Sequence, residues 1–396
     1  MIFLIYLDSA ATTKVKKEVV DAMMPYFTDK WHNPSSLYSP SVEIKKEIEK
    51  AREIVGEFIG ANGSEIFFTS SGSEANCWAI KGFVDECKVN DVLPIIITSA
   101  IEHKSILECV NDKSLGAKIF VIDVNAVGLV DFEELERTLK NIYAQNEVGI
   151  VDCKVLVSVQ FANNEIGTIQ YIEYLSKLVH KYNGILHTDA VQAFGKLDIY
   201  VDELEVDMLS ASGHKIGTPK GIGFLYKKSD VKIKPLIHGS QMDGLRGGTE
   251  NVPYIIGMAK AVELLKKEDR ESVESKTLYM MQELRKLGCG FFNGSALYGL
   301  YNVISVTFPQ NITGEALLYT LDLSGIQVST GSACDSSSIK PSHVLTSIGL
   351  SNELAMKTVR FSLDDNVTYE DIDKAIKEID KALKVIETDW SDGIVL

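Results

Sequence analysis

Apolar positions along this chain follow two different periods. From Val42 to Ile59, the residues Ile44, Ile48, Ala51, Val55, Phe58 and Ile59 recur at helical spacing among Glu and Lys, which predicts an amphipathic helix. Gly60 and Asn62-Gly63 end it. Ile66–Thr69 reads as a short strand that runs into the polar turn Ser70-Ser71-Gly72-Ser73, followed by a helix over Glu74–Glu86. Apolar runs at Ile95–Ser99, Ala117–Ile122, Val155–Gln160, Ile185–Thr188, Met208–Ser210 and Gly223–Tyr226 predict further strands. Helical patterns over Phe132–Tyr143 and Ile172–Tyr182 separate several of them. Such alternation predicts an α/β fold with a mostly parallel central sheet and flanking helices on both faces.

The pattern changes after Pro253. Tyr254–Leu287 is almost wholly helix-compatible and contains no proline. Beyond it come strands at Ser305–Phe308, Gln327–Ser329 and Val359–Ser362, then a final helix over Glu370–Ile386. A helical connector into a smaller α+β C-terminal domain is the simplest reading. No Pro/Gly/Ser linker separates the halves, so they are expected to pack closely.

Composition narrows the function classes. The chain has 396 residues, 45% hydrophobic and 24% charged, with 40 Lys+Arg against 55 Asp+Glu. A net charge of −15 argues against nucleic acid as a direct ligand, since phosphate-backbone binding needs clustered cations. The apolar start Met1–Leu7 has no basic residue before it and meets Asp8 at once, so it reads as a buried strand rather than a secretory signal. The run Val92–Ile97 is far too short to span a bilayer. Six cysteines (Cys77, Cys87, Cys109, Cys153, Cys289 and Cys334) show no CxxC and no zinc-finger spacing. These features together predict a cytoplasmic protein, with no structural metal and no membrane partner.

Candidate chemistry gathers at strand ends. Lys215 lies in Ser210-Ala211-Ser212-Gly213-His214-Lys215, after a β run. Taken alone, that hexapeptide fits a basic loop as well as a reactive lysine. Asp189 closes the preceding run Ile185-Leu186-His187-Thr188, at the edge where α/β sheets bind ligands. An Asp and a Lys at successive strand ends suit pyridoxal phosphate: the amine forms a Schiff base, and the carboxylate pairs with the pyridinium nitrogen. Ser70-Ser71-Gly72-Ser73 before a helix offers N–H groups and hydroxyls to a phosphate, although such a turn is more often only an N-cap. Glu102-His103-Lys104 follows the next strand, where an imidazole could lie over a flat ring.

With these residues in place, the chain resembles the cysteine desulfurases, pyridoxal-phosphate enzymes of the class V aminotransferase group, in their longer-loop subgroup of the iron–sulfur-assembly and nitrogen-fixation type. The matching segments include Tyr6–Thr13, Asn33-Pro34, Thr69–Glu74, Glu102-His103-Lys104, Asn163–Gly167 and Asp189–Gln192. Ser212–Lys215, Arg246–Thr249, Gly331–Cys334 and Val359–Ser362 complete the set, in family order. The resemblance implies the fold type I architecture of pyridoxal-phosphate-dependent transferases. It divides the chain into a large cofactor-binding domain, 15–256, and a small domain made of 1–14 and 257–396, which carries the catalytic cysteine loop at about 329–340.

The same resemblance implies roles for individual residues. Lys215 would carry the cofactor, Asp189 would pair with its ring nitrogen, Gln192 with its phenolic oxygen, and His103 would stack on the ring. Gly72, Ser73, Ser212 and His214 would hold the phosphate, with Thr249 reaching in from the second subunit of a homodimer. Asn164 and Arg360 would hold the substrate carboxylate, a task that suits a bidentate guanidinium. Cys334 would take sulfur from L-cysteine as a persulfide, leaving L-alanine. An acceptor protein, either an iron–sulfur scaffold or a thiolation enzyme, would then receive the sulfur. Lys215 would move the α-proton, with His103 as a second acid/base group.

Cys334 also stands out in the residues themselves. Ser329–Ser338 is small and polar throughout, which predicts an exposed, mobile loop and makes its thiol a candidate nucleophile. The other five cysteines read as structural. Asp335 disfavours the thiolate, so activation is expected to come from the site. Ser73 stands where Thr is frequent in the family, and Ala75-Asn76-Cys77 replaces a more polar triplet. The tail after the last helix, Trp390–Leu396, is short, which leaves docking of a scaffold protein open. Two other readings stand beside the main one: a selenocysteine lyase or other β-eliminating enzyme, and a non-catalytic scaffold partner that keeps the fold.

Overall fold

A computed structural model describes residues 4–147, 152–265, 270–308, 312–331 and 340–391. Its strands are β1 (Ile5–Tyr6), β2 (Ile66–Thr69), β3 (Leu93–Ser99), β4 (Lys118–Ile122), β5 (Cys153–Ser158) and β6 (Ile185–Asp189). They continue as β7 (Met208–Ser212), β8 (Gly223–Lys227), β9 (Phe291–Phe292), β10 (Val303–Thr307), β11 (Ile326–Gln327) and β12 (Thr358–Ser362). Seven of these form the central sheet in the order β2-β8-β7-β6-β5-β3-β4. Only β8 runs antiparallel to its neighbours, so the sheet is mostly parallel.

Both faces of this sheet are buried, and the period-2 alternation of its side chains shows how. Phe68, Ile95, Ile97, Val155, Val157, Leu209 and Phe224 enter one core cluster. Their chain neighbours Phe67, Ile96, Leu156, Met208 and Leu225 enter the cluster on the opposite face. That is why these strands read as continuous apolar runs rather than alternating ones. The helix Ser39–Phe58 covers the first face through Ile44, Ile48, Ala51 and Val55, as its helical spacing predicts. The helix Gly72–Val89 covers the second through Trp78, Phe83 and Val84.

A further core holds Ile5 and Leu7 from the chain start together with Val306, Phe308, Leu317, Val359, Phe361 and Ile379. Here β1 pairs in parallel with β11, while β10 lies antiparallel between β12 and β9. The helix-compatible stretch after Pro253 forms two helices, Val252–Leu265 and Arg270–Lys286. Ile255, Met258, Val262 and Leu265 join the larger core, whereas Val273, Met280 and Leu284 join this one. The expected division at 256/257 thus falls inside the first of those helices. Cys87, Cys109, Cys153 and Cys289 are buried free thiols, and Cys77 is half-buried. No helix among the described residues is long and apolar enough to cross a membrane.

Phe224 is fully buried on β8, edge-on to Phe194 with ring centroids 5.0 Å apart. Phe224→Ala removes that ring from the larger core, with an expected loss of about 3–5 kcal/mol. Denaturant midpoints of the two proteins would check this, and an unchanged midpoint would contradict the packing described.

Candidate active site

Strands β6 and β7 are parallel neighbours, and both end at one cavity of about 640 Å³. Asp189 is the last residue of β6 and is 5% exposed. Its Oδ2 accepts from Asn76 Nδ2 at 2.7 Å, and its Oδ1 accepts from the Val191 backbone N–H at 2.9 Å. Both donors are uncharged groups. Lys215 follows β7 through the short 3-10 turn Gly213–Lys215. Its Nζ donates to the carbonyls of Ala10 and Ala11 at 2.6 and 2.7 Å. The sequence reading placed the acid and the amine at successive strand ends; the structure brings both to the same cavity.

A helix N-terminus forms the next wall. Ser71 caps the helix Gly72–Val89 by accepting from the Glu74 N–H at 3.1 Å, and Glu74 Oε2 accepts from the Ser70 N–H at 2.7 Å. This reciprocal cap leaves Gly72 and Ser73 at the open first turn. Glycine is required at 72 by close approach rather than by φ. A Cβ there would stand 2.5 Å from Val191 Cγ2 and 3.3 Å from Ser212 Cβ. Ser212 and His214 line the same side. His214 Nδ1 lies 3.1 Å from Thr12 Oγ1, and burial, with Lys215 and Lys220 adding to it, pushes the ring down to about 4. It is therefore neutral at pH 7.

His103 caps the helix Lys104–Asn111, and its Nδ1 accepts from the Ser105 N–H at 3.1 Å. A backbone N–H can only donate, so the neutral ring carries its proton on Nε2. Burial lowers the imidazole from its ordinary value; Asp189 opposes that shift, and the Lys215 and Lys104 cations reinforce it. Ser105 Oγ joins His103 Nδ1, at 2.8 Å, to Asn76 Nδ2, at 3.0 Å. His103 and Asp189 are thereby tied into one hydrogen-bonded chain.

On the opposite wall stands Arg360, in the middle of β12. Nη1 donates to the Asn164 carbonyl at 2.8 Å, Nη2 pairs with Asp8 Oδ1 at 2.6 Å, and the buried Nε has no hydrogen-bond partner among the described residues. Gln192, 5% exposed, donates from Nε2 to the Ala10 carbonyl at 3.0 Å. Thr249 is exposed and does not line this cavity. Cys334 lies outside the described residues.

Several residues at the site escaped the sequence reading. Asn76 stands one helical turn beyond Gly72 on the same helix, and that spacing was the available signal. Asp8 sits inside a motif that was noted as a whole. Glu102 and Glu165 likewise sit inside noted segments, Glu102-His103-Lys104 and Asn163–Gly167, but only burial gives them a meaning of their own. Glu102 accepts from the Gln160 N–H and from Ser99 Oγ, the latter at 2.5 Å, and burial pushes its carboxyl up to about 8. Glu165 accepts from Ser342 Oγ at 2.5 Å, and burial pushes it up to about 7.

Residues 5–375 match the family model described as aminotransferase class-V. The chain is 41% identical over 390 residues to the cysteine desulfurase IscS of Dictyoglomus turgidum, covering 97% of this chain and 95% of that one. It superposes on a solved NifS-like protein with a TM-score of 0.86 at 36% identity, over 97% of this chain and 100% of the other. A structure of SspA in complex with cysteine gives a TM-score of 0.78 at 36% identity, over 90% and 98%. A strand-end lysine and carboxylate beside a glycine-floored helix N-terminus thus sit in a fold shared with those proteins over nearly its whole length: the chain belongs to the class V aminotransferases and, within them, to the cysteine desulfurase family.

Proposed function

We propose that this cavity holds pyridoxal 5'-phosphate and that the chain converts L-cysteine to L-alanine, passing the sulfur to Cys334 as a persulfide. The observation that carries this reading is the convergence of Asp189, Lys215, Gly72 and Arg360 on one cavity. The residues present fit the cofactor. A Cβ at Gly72 would collide with Val191, so the helix N-terminus packs tightly against the segment after β6, and the N–H groups of its first turn would serve a phosphate in the cavity they line. A buried carboxylate held by neutral donors suits a protonated ring nitrogen at Asp189. Ser73, Ser212 and His214 would complete the phosphate cradle, Gln192 would face the phenolic oxygen, and His103 the ring. When bound, the cofactor supplies a carbonyl electrophile and an electron sink for the pair released at the substrate's α-carbon.

This chain's own groups then divide the work. Arg360 and Asn164 would hold the substrate carboxylate, and that anion competes with Asp8 for the same guanidinium. Lys215 Nζ, once free as a neutral amine, would take the proton from the α-carbon. His103 Nε2 holds a second proton near the reacting atoms. The Cys334 thiolate attacks the substrate sulfur, and the carbon–sulfur bond breaks. A proton then completes the methyl group, so L-cysteine plus thiol gives L-alanine plus persulfide. An acceptor protein of iron–sulfur assembly or of a thiolation pathway would take the sulfur in the cytoplasm.

The separate cores support a division into a large cofactor-binding unit and a smaller unit, built from the chain start and the C-terminal part. Exposed Met24, Phe27, Trp31, Leu37 and Tyr38 lie within one short stretch. This apolar surface supports a homodimer, in which Thr249 serves the phosphate of the second copy.

Lys215→Ala should abolish covalent trapping of the cofactor by borohydride, read by mass spectrometry; trapping that persists would remove Lys215 from its role. Gly72→Ala should weaken pyridoxal phosphate binding at least about tenfold in equilibrium dialysis, because the added Cβ intrudes on the cradle. Cys334→Ser should keep the bound cofactor yet release no sulfide from cysteine. Normal release would refute the sulfur-acceptor role, and retained activity on selenocysteine alone would point to a lyase.

A further inference from the structure

Gln192 is held from two sides. Its Nε2 donates to the Ala10 carbonyl, and its Oε1 accepts from Lys196 Nζ at 3.0 Å. Lys196 is 8% exposed, and among the described residues no carboxylate pairs with it. The cations Lys215 and Arg360 act on it from the side of the site, and on its other side Glu18, Asp364 and Asp365 line the neighbouring cavity together with Lys14, Lys16, Lys17 and Arg270. Burial, with Lys215 and Arg360 adding to it, pushes its amine down to about 7. Lys196 itself lines that second cavity, of about 520 Å³, with Asn302.

A buried amine without a counter-charge is costly, so where it points is informative. It points at the oxygen end of a side chain whose nitrogen end meets the Ala10 carbonyl. A carboxamide is nearly symmetric in shape, and a half-turn of its last torsion exchanges donor for acceptor. The Ala10 carbonyl can only accept, and the Lys196 amine, which keeps hydrogens in either protonation state, donates to the oxygen end. Between them they allow one orientation, with the nitrogen end toward Ala10. That nitrogen keeps a second hydrogen for a ligand oxygen. Ala10 is shared, since its carbonyl also accepts from Lys215 Nζ at 2.6 Å. Lys196, Gln192, the Ala10 carbonyl and Lys215 thus form one continuous hydrogen-bonded run.

We propose that Lys196 is a positioning residue: its amine locks the Gln192 carboxamide so that the amide nitrogen, and never the oxygen, faces the phenolic oxygen of the cofactor. The inference rests on the pyridoxal phosphate reading. A flipped Gln192 would set two acceptor oxygens against each other at the position where the cofactor's negative oxygen lies. Lys196 also places donor or positive character three hydrogen bonds from Lys215, and its loss favours the protonated form of the group that Lys215 makes with the cofactor.

The test is a pH titration of the visible absorption of enzyme loaded with pyridoxal phosphate. It compares wild type with Lys196→Met, Lys196→Gln, Gln192→Leu and the double variant Lys196→Met/Gln192→Leu. Methionine keeps the length of the side chain and removes the amine, so the melting temperature should hold or rise. In Lys196→Met the midpoint should move up by about half a pH unit or more with the cofactor still bound. Lys196→Gln, which retains a donor, should lie close to wild type. The double variant should shift no further than Gln192→Leu alone, because Lys196 acts through that residue. An unmoved midpoint in Lys196→Met, or a double variant that shifts by the sum of the singles, would overturn the inference alone. Wild-type protein that binds no pyridoxal phosphate would overturn the proposed function and this inference with it.

Discussion

The site depends on one strap of backbone, Asp8 to Thr13, stretched between two cores. Ser9 Oγ donates to the Leu363 carbonyl and the Ala10 N–H to Ser362 Oγ, both at 2.8 Å, which fastens the strap to the end of β12. On the other side the Thr13 N–H donates to the His214 carbonyl at 2.9 Å. Between these anchors the Ala10 carbonyl accepts from both Gln192 and Lys215, and Asp8 pairs with Arg360. Ser9 and Ala10 are buried, so their polar groups must find partners on one side or the other. Gln192, Lys215 and Arg360, three of the strap's partners, line the cavity.

The Asp8–Arg360 pair shows what this arrangement demands. Both side chains are mostly buried, at 17% and 8% exposed, and their N–O distance is 2.6 Å. A guanidinium left unpaired in such a place would be strongly unfavourable, whereas a paired one is close to neutral in cost. Asp8 therefore stabilises the buried guanidinium, and it also imposes a threshold on any carboxylate that enters. An incoming anion must match its geometry, since Asp8 and the Asn164 carbonyl each already hold one end of the guanidinium. Selectivity for a compact α-amino acid follows from that competition as much as from the shape of the cavity.

The alternation of strands and helices was legible in the sequence because both faces of the sheet are buried, which makes each strand a compact apolar run. Ile66–Thr69 is found where the pattern put it, and Ile185–Thr188 extends by a single residue, to Asp189. Less legible was where one core ends and the next begins. The helices Val252–Leu265 and Arg270–Lys286 carry similar residues but face different cores, and composition has no term for the partner of a helix face. At the site, Lys215 and Asp189 were legible because their residue types are unusual at strand ends, whereas Arg360, in the middle of β12, and Gly72 took their meaning from the family resemblance. Asn76 was visible only as a departure from a motif. Its meaning is the bond to Asp189, which joins positions 113 residues apart.

Burial hides the remaining chemistry from sequence altogether. Glu102, Glu165 and Lys196 are ordinary charged letters in the chain, and nothing beside them marks them as interior. In the fold all three lose water, and each moves toward its neutral form: the two carboxyls rise and the amine falls. A neutral Glu102 carries a proton that an ionised one lacks, so it can donate as well as accept in the turn beside His103. Lys196 near neutrality weakens the repulsion it exerts on Lys215 and Arg360 while keeping its hydrogens for Gln192. Burial thus lowers the charge carried by Glu102, Glu165 and Lys196 beside the cavity and leaves their hydrogen bonds to its walls in place.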